Sequence, residues 1–236
     1  MNQLPTWNAR KLVMMKSSFP DVAHRKTIDS VEDALTALAR GSLVVVMDNE
    51  HRENEGDLIM AAEYATPQAI AFMVRWTSGL LCAALPAERL AGLKLPAMCA
   101  DNGDSMQTAF TVTTDYRHGT STGISAADRA LTFRALVDPL AGAQDFNRPG
   151  HVLPLRAMAG GVLERPGHTE AAVDLTRMAG LRAGGVLAEL VNPDGSMQRF
   201  DQAMAFASRH QLPIITIEQL ICYRKATENR LLAVAA

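Results

Sequence analysis

The sequence predicts an α+β fold, a mixed sheet flanked by helices within a single layered domain, and three observations carry that expectation. Short apolar runs rich in valine, isoleucine and leucine alternate with helical segments that have recognisable caps. The spacing between them lacks the regular rhythm of repeated βαβ units, which sets a barrel or a Rossmann layout aside. A hydrophobic content of 48% in 236 residues is enough for one buried core without disulfide staples.

Residues 1 to 27 show no sustained period and are expected to form an N-terminal arm, leaving 28 to 236 as the domain. Ser30 can cap a helix from Val31 to Arg40, which Gly41 ends. Leu43 to Met47 reads as a buried strand, and Leu58 to Ala62 resumes the apolar character after a charged interruption. Thr66 and Pro67 open a helix to about Thr77, closed by Gly79. Leu80 to Leu85 is a further strand, Ala87 to Ala91 a short helix, and Met98 to Met106 a loop. Phe110 to Thr114 alternates as a half-buried strand would. Ser125 and Asp128 can form a capping box for a helix over Ala126 to Leu136. Residues 138 to 150 read as irregular, His151 to Leu155 as extended, and Gly160 to Leu163 as a turn and short strand. Thr169 can cap a helix from Glu170 to Ala179. A strand from Val186 to Val191, a helix from Asp201 to Arg209, a strand from Ile214 to Thr216 and a helix to about Lys225 complete the chain.

A net charge of -2 gives no electrostatic reason to expect nucleic acid or an anionic membrane as partner. Cys82, Cys99 and Cys222 are widely separated and in no metal-binding spacing, so a reducing, cytoplasmic setting is expected. No stretch has the apolar core of an export signal or the length of a membrane span.

The most informative stretch is Asp48 to Asp57, five acids and one arginine between two apolar runs. Carboxylates so crowded repel one another unless a cation sits among them. Hard oxygen donors favour magnesium or manganese, although a solvated hairpin tip accounts for the same residues. Strand-like alternation would put Glu53, Glu55 and Asp57 on one face and Arg52 and Asn54 on the other. The second stretch is Glu164 to Glu170, where a helix start beside Arg165 and the Thr169 hydroxyl makes a phosphate cradle and His168 is a possible metal ligand. Ordinary capping explains Thr169 as well. Glu189, inside an apolar strand, is either a desolvated acid/base group or a solvent-facing residue on an edge strand. His151 opens an apolar run, the Thr120 to Ser125 loop is a possible anion or sugar site, and Cys82 reads as an inert hydrophobe.

Taken together, Arg52-Glu53-Asn54-Glu55-Gly56-Asp57, Ser121 to Arg129, Arg148 to Arg156 and Gly167-His168-Thr169-Glu170-Ala171 resemble, in order and spacing, the 3,4-dihydroxy-2-butanone 4-phosphate synthase family of riboflavin biosynthesis. The likeness runs from about Ser30 to Tyr223 and includes Asn192 to Met197. It implies conversion of ribulose 5-phosphate, a small sugar phosphate, to 3,4-dihydroxy-2-butanone 4-phosphate and formate, with magnesium as cofactor and manganese as an alternative. It also implies a homodimer with active sites at the subunit interface.

By the same resemblance, Glu53 and His168 look like the metal ligands. Arg165, Pro166, Gly167, His168 and Thr169 look like the phosphate pocket. Arg52, Glu53, Asp57 and Thr122 look like substrate contacts, and His151, Glu189, Asp57 and Glu55 like catalytic groups. Asn49 and His51 stand where the family commonly has acids, which could alter metal affinity. The fusion to GTP cyclohydrolase II found in some members is not expected. A paralogue acting on another sugar phosphate and a catalytically silent dimeric module are the alternatives.

Overall fold

A computed structural model describes residues 27–235, so the expected N-terminal arm lies, apart from Thr27, outside the described residues. In chain order the strands are β1 (Val44–Met47), β2 (Gly56–Ala61), β3 (Cys82–Pro86), β4 (Thr114–Tyr116), β5 (Phe146–Ala157), β6 (Gly185–Glu189) and β7 (Ile214–Thr216). The α-helices are α1 (Val31–Ala39), α2 (Pro67–Trp76), α3 (Ala87–Gly92), α4 (Ala126–Val137), α5 (His168–Met178), α6 (Phe200–His210) and α7 (Ile217–Ala235). Among the described residues, no helix is long and apolar enough to cross a membrane.

The strands form one seven-stranded mixed sheet in the order β4-β5-β3-β6-β2-β1-β7. β1 runs antiparallel to β2 and parallel to β7, while β6 is antiparallel to both β2 and β3. Side chains alternate across the sheet. Val45, Met47, Leu58 and Met60 enter one apolar layer with α2, α4 and α6. Val44, Val46 and Ile59 enter the opposite layer with α1 and α5. Every residue of β1 and β2 is buried, as expected of strands covered on both faces.

Local chemistry sets most of the boundaries. The Ser30 hydroxyl accepts from Asp33 N at 3.1 Å and the Asp33 carboxylate accepts from Ser30 N at 3.3 Å, which starts α1. Thr66 caps α2 with Pro67 at its first position.

Several expectations are corrected. Phe110 to Thr111 makes isolated bridges to Leu155 and Ala97, and the continuous strand begins at Thr114. β5 starts at Phe146, inside the segment expected to be irregular, because Tyr116 and Asp115 pair with Phe146 and Asn147. Gly161–Leu163 is a 3-10 turn, with Gly161 at φ +61, a conformation that ends extended structure. Ser125 does cap α4, but the Asp128 carboxylate accepts from Ser121 and Gly123 instead of closing a capping box.

Candidate active site

Four backbone ends meet at one edge of the central strands. β1 ends into Asp48, β2 begins at Gly56, β6 ends at Glu189, and α5 begins at His168. Between them is a cavity of about 230 Å³ lined by Arg52, Glu53, Glu55, Asp57, Arg165, His168, Thr169 and Glu189 among others. Eight candidates from distant segments thus share one space. Pro166, Gly167, His151 and Thr122 do not line it.

Residues 48 to 55 form a turn and not a strand, so the expected alternation fails: Arg52 shares the cavity with Glu53. Asp48 organises this turn from inside. Its Oδ1 accepts from Glu55 N at 2.8 Å, and its Oδ2 accepts from Glu53 N at 3.1 Å and Arg52 Nη1 at 2.9 Å. Arg52 also donates to the Glu53 carboxylate and so bridges the two acids. Asn54 adopts a left-handed conformation, φ +54, which asparagine tolerates better than most residues.

His168 is buried at the first turn of α5. Its Nε2 lies 3.1 Å from the carbonyl oxygen of Val46, which makes that nitrogen a donor and turns Nδ1 toward the acids. Nδ1 is 3.8 Å from Glu53 Oε2 and 3.7 Å from Asp57 Oδ1. Asp57 Oδ1 is buried without a hydrogen-bond partner among the described residues. Asp57 lies directly across from Glu189 in the β2–β6 register, a like-charge pairing that a sheet disfavours.

The electrostatics follow from this crowding. Burial, with Glu189 and Glu53 adding and His168 opposing, pushes Asp57 up to about 7. Glu53 is held down to about 2, first by the side-chain interaction with His168, whose Nδ1 faces it, and, against burial, also by Arg52. His168 is raised to about 9: burial opposes this, but Asp57 and Glu53 outweigh it. Glu55 is raised by burial and by Glu53.

The donor set fits a hard divalent cation. Asp48, Glu53 and His168 offer ligand atoms all within 4.8 Å of one another. The partnerless Asp57 oxygen beside them is a further buried acceptor. Glu53 can offer an oxygen to such an ion and His168, once Nδ1 gives up its proton, a nitrogen, whereas Asp48 is engaged by three donors in the turn.

The helix start beside them is open. Gly167, extended, is the N-cap and offers no side chain; Ala171 N closes the first helical bond on Gly167 O at 3.0 Å. The helix therefore begins two residues earlier than expected, and Thr169 lies inside its first turn, free to face the cavity. Arg165 is fixed beside it, donating to Glu170 Oε2 at 2.7 Å and to Met106 O at 2.9 Å. Free N–H groups, a fixed guanidinium and a hydroxyl are the makings of an anion site.

Glu189 sits on a central strand, so the edge-strand alternative is corrected. Ser78 Oγ donates to its Oε2 at 2.6 Å. Cys82 lines the cavity, and burial pushes its thiol up, in keeping with an inert role. His151 and Thr122 belong to a second cluster. Asp115 Oδ2 lies 2.7 Å from His151 Nδ1, and Gly123, next to Thr122, packs against that pair. Asp48, Ser78 and Asp115 had no assigned role in the sequence. Asp48 at a strand end was the one visible signal, since nothing local marks contacts between distant segments.

Comparison with known proteins decides the family. The family model for 3,4-dihydroxy-2-butanone 4-phosphate synthase matches residues 32–223. The chain belongs to the 3,4-dihydroxy-2-butanone 4-phosphate synthase family. It is 56% identical over 209 residues to the riboflavin biosynthesis protein RibBA of Salinispora arenicola, covering 89% of this chain and 50% of that protein. The chain thus spans about half the length of the RibBA relatives it matches. It is 54% identical to the 3,4-dihydroxy-2-butanone 4-phosphate synthase of Agrobacterium fabrum, covering 84% of this chain and 93% of that protein. A crystal structure of a family member in complex with two magnesium ions superposes with a TM-score of 0.83 at 48% identity, covering 85% of this chain and 99% of that one. Family and α+β fold both agree with the sequence expectation.

Proposed function

We propose that this protein is a cytoplasmic, homodimeric lyase of riboflavin biosynthesis that converts ribulose 5-phosphate to 3,4-dihydroxy-2-butanone 4-phosphate and formate with magnesium, or manganese in its place. The observation that carries this reading is the meeting of His168 Nδ1, Glu53 and the partnerless Asp57 oxygen beside an open helix start. The relative crystallised with two magnesium ions supports the choice of metal.

Glu53 and His168 are the residues that would hold the ion. When bound, the cation offsets the negative charge that develops as a proton leaves the carbon beside the ketone. The first turn of α5, with Arg165, Pro166, Gly167 and Thr169, anchors the phosphate and so turns binding energy into orientation. Arg52 and Asp57 contact the sugar hydroxyls. Asp57, pushed up to about 7, populates both protonation states near neutrality, which suits proton transfer. Glu189, oriented by Ser78, and Glu55, on the turn, are further acid/base groups.

His151 and Thr122 stand outside the cavity of their own chain, and in this reading they serve the cavity of a second copy. Asp115 fixes the imidazole of His151 by its Nδ1, leaving Nε2 to meet substrate.

The test is formate release. Purified protein with magnesium and ribulose 5-phosphate should yield formate and a four-carbon phosphate in equal amounts, and chelation should stop it. No formate, under conditions where a recognised synthase releases it, overturns the reading.

A further inference from the structure

Arg199 lies far from the acidic turn in sequence and touches it directly. Its Nη1 donates to the carbonyl oxygens of Glu53 at 2.7 Å and Asn54 at 2.6 Å. A terminal guanidinium nitrogen carries two hydrogens, so one nitrogen can satisfy both carbonyls. The same nitrogen is 3.9 Å from Glu55 Oε1.

Both ends of this bridge are anchored. Arg199 is the N-cap residue of α6, its own N–H donating to Gln202 Oε1 at 2.9 Å. The preceding Gln198 is buried, and its N–H donates to Leu190 O at 2.9 Å, tying the segment to the end of β6 next to Glu189. Among the described residues, most other hydrogen bonds of the turn arise within residues 48 to 55: Asp48 with Arg52, Glu53 and Glu55, Arg52 with Glu53, and Asn49 with His51, Arg52 and Asn54, while the Glu53 carboxylate also faces His168. Internal bonds shape a turn, whereas a bond to another element sets where it sits on the fold.

We propose that Arg199 is a positioning residue that clasps the 48–55 turn against α6, so that Glu53 is held at the distance from His168 that a metal ion requires. This rests on the proposed role of Glu53 and His168 as ligands. The clasp acts through the backbone of Glu53, without touching metal or substrate. Residues that orient ligands in this way typically change metal affinity about 10- to 100-fold when lost.

The experiment compares Arg199→Gln and Arg199→Lys with the wild-type chain, using Mn2+ alone as the probe and following binding by electron paramagnetic resonance. Arg199→Gln should raise the Mn2+ dissociation constant at least about tenfold. Arg199→Lys, whose ammonium retains donors for the two carbonyls, should recover most of the loss. Arg199 is exposed, so both variants should keep the wild-type melting temperature within a few degrees. A second readout requires no metal: trypsin should cut after Arg52 faster in Arg199→Gln, because the turn is released. Mn2+ affinity in Arg199→Gln equal to that of wild type overturns the clasp. A wild-type chain that binds no Mn2+ overturns the ligand assignment and the clasp with it. Loss of Mn2+ affinity in a protein that releases no formate would sustain the clasp while the proposed reaction falls.

Discussion

The protonation of one imidazole decides when the candidate metal site is open. His168 Nε2 is committed to Val46 O, so any proton that leaves must leave Nδ1, the nitrogen facing Glu53 and Asp57. With His168 raised to about 9, the imidazolium is the resting partner of these acids in the metal-free protein. Its stabilising contribution is complete below the ordinary value of 6.5 and is lost as pH rises through about 9. A metal ion held at Nδ1 would have to displace that proton. Between pH about 6 and 9, Mn2+ affinity should therefore rise with pH by up to about tenfold per unit, with proton release on binding. Calorimetry in buffers of different ionisation enthalpy measures both. In His168→Ala the pH dependence should flatten and the affinity fall beyond the about hundredfold limit of an orienting residue. A wild-type affinity that ignores pH would remove Nδ1 from the ligand set.

At the scale of elements, the second cluster depends on how a hydroxyl-rich loop seats against β4 and β5. Gly123 is at φ +96, and a Cβ there would lie 2.0 Å from Asp115 Oδ2 and 2.6 Å from His151 Nδ1. Gly123→Ala would have to break the Asp115–His151 pair or shift the start of α4. It should cost stability by roughly 1–3 kcal/mol from backbone strain and crowding, and lower turnover without changing Mn2+ affinity. Thermal melts and metal titration separate those effects; reduced metal binding would mean that the two clusters are coupled within one chain. The sequence shows this element only in part. Ser125 as a cap and Gly123 as a loop residue are local signals, whereas Asp115, more than thirty positions from His151, carries no local mark. The same division runs through the fold. Caps and buried strands such as Ser30, Thr66 and β1 announce themselves by pattern. The start of β5 at Phe146 and the open N-terminus of α5 were hidden, because cross-strand partners and the conformation of Gly167 decided them. At the acidic turn, charge crowding pointed to a cation, but alternation misplaced Arg52, since Asp48 folds residues 49 to 54 into a turn.

On the scale of the whole molecule, the candidate groups fall into two clusters, a division that the proposed homodimer would explain. Glu53, Asp57, His168 and Glu189 line the cavity, while His151 and Thr122 do not. If His151 serves the cavity of a second copy, a complete site needs His168 from one chain and His151 from the other. His151→Ala and His168→Ala should each be nearly inactive as pure proteins. A heterodimer of the two would contain one site with both histidines intact and one site with neither. Random mixing makes half the dimers heterodimers, each with one good site of two, so roughly a quarter of wild-type formate release should return. Co-expression with two different tags, followed by tandem purification, would raise that to about half. If each cavity used the histidine of its own chain, every site in the mixture would lack one of them, and no activity would return. The outcome thus separates a shared site from two independent ones without any need for a dimer structure.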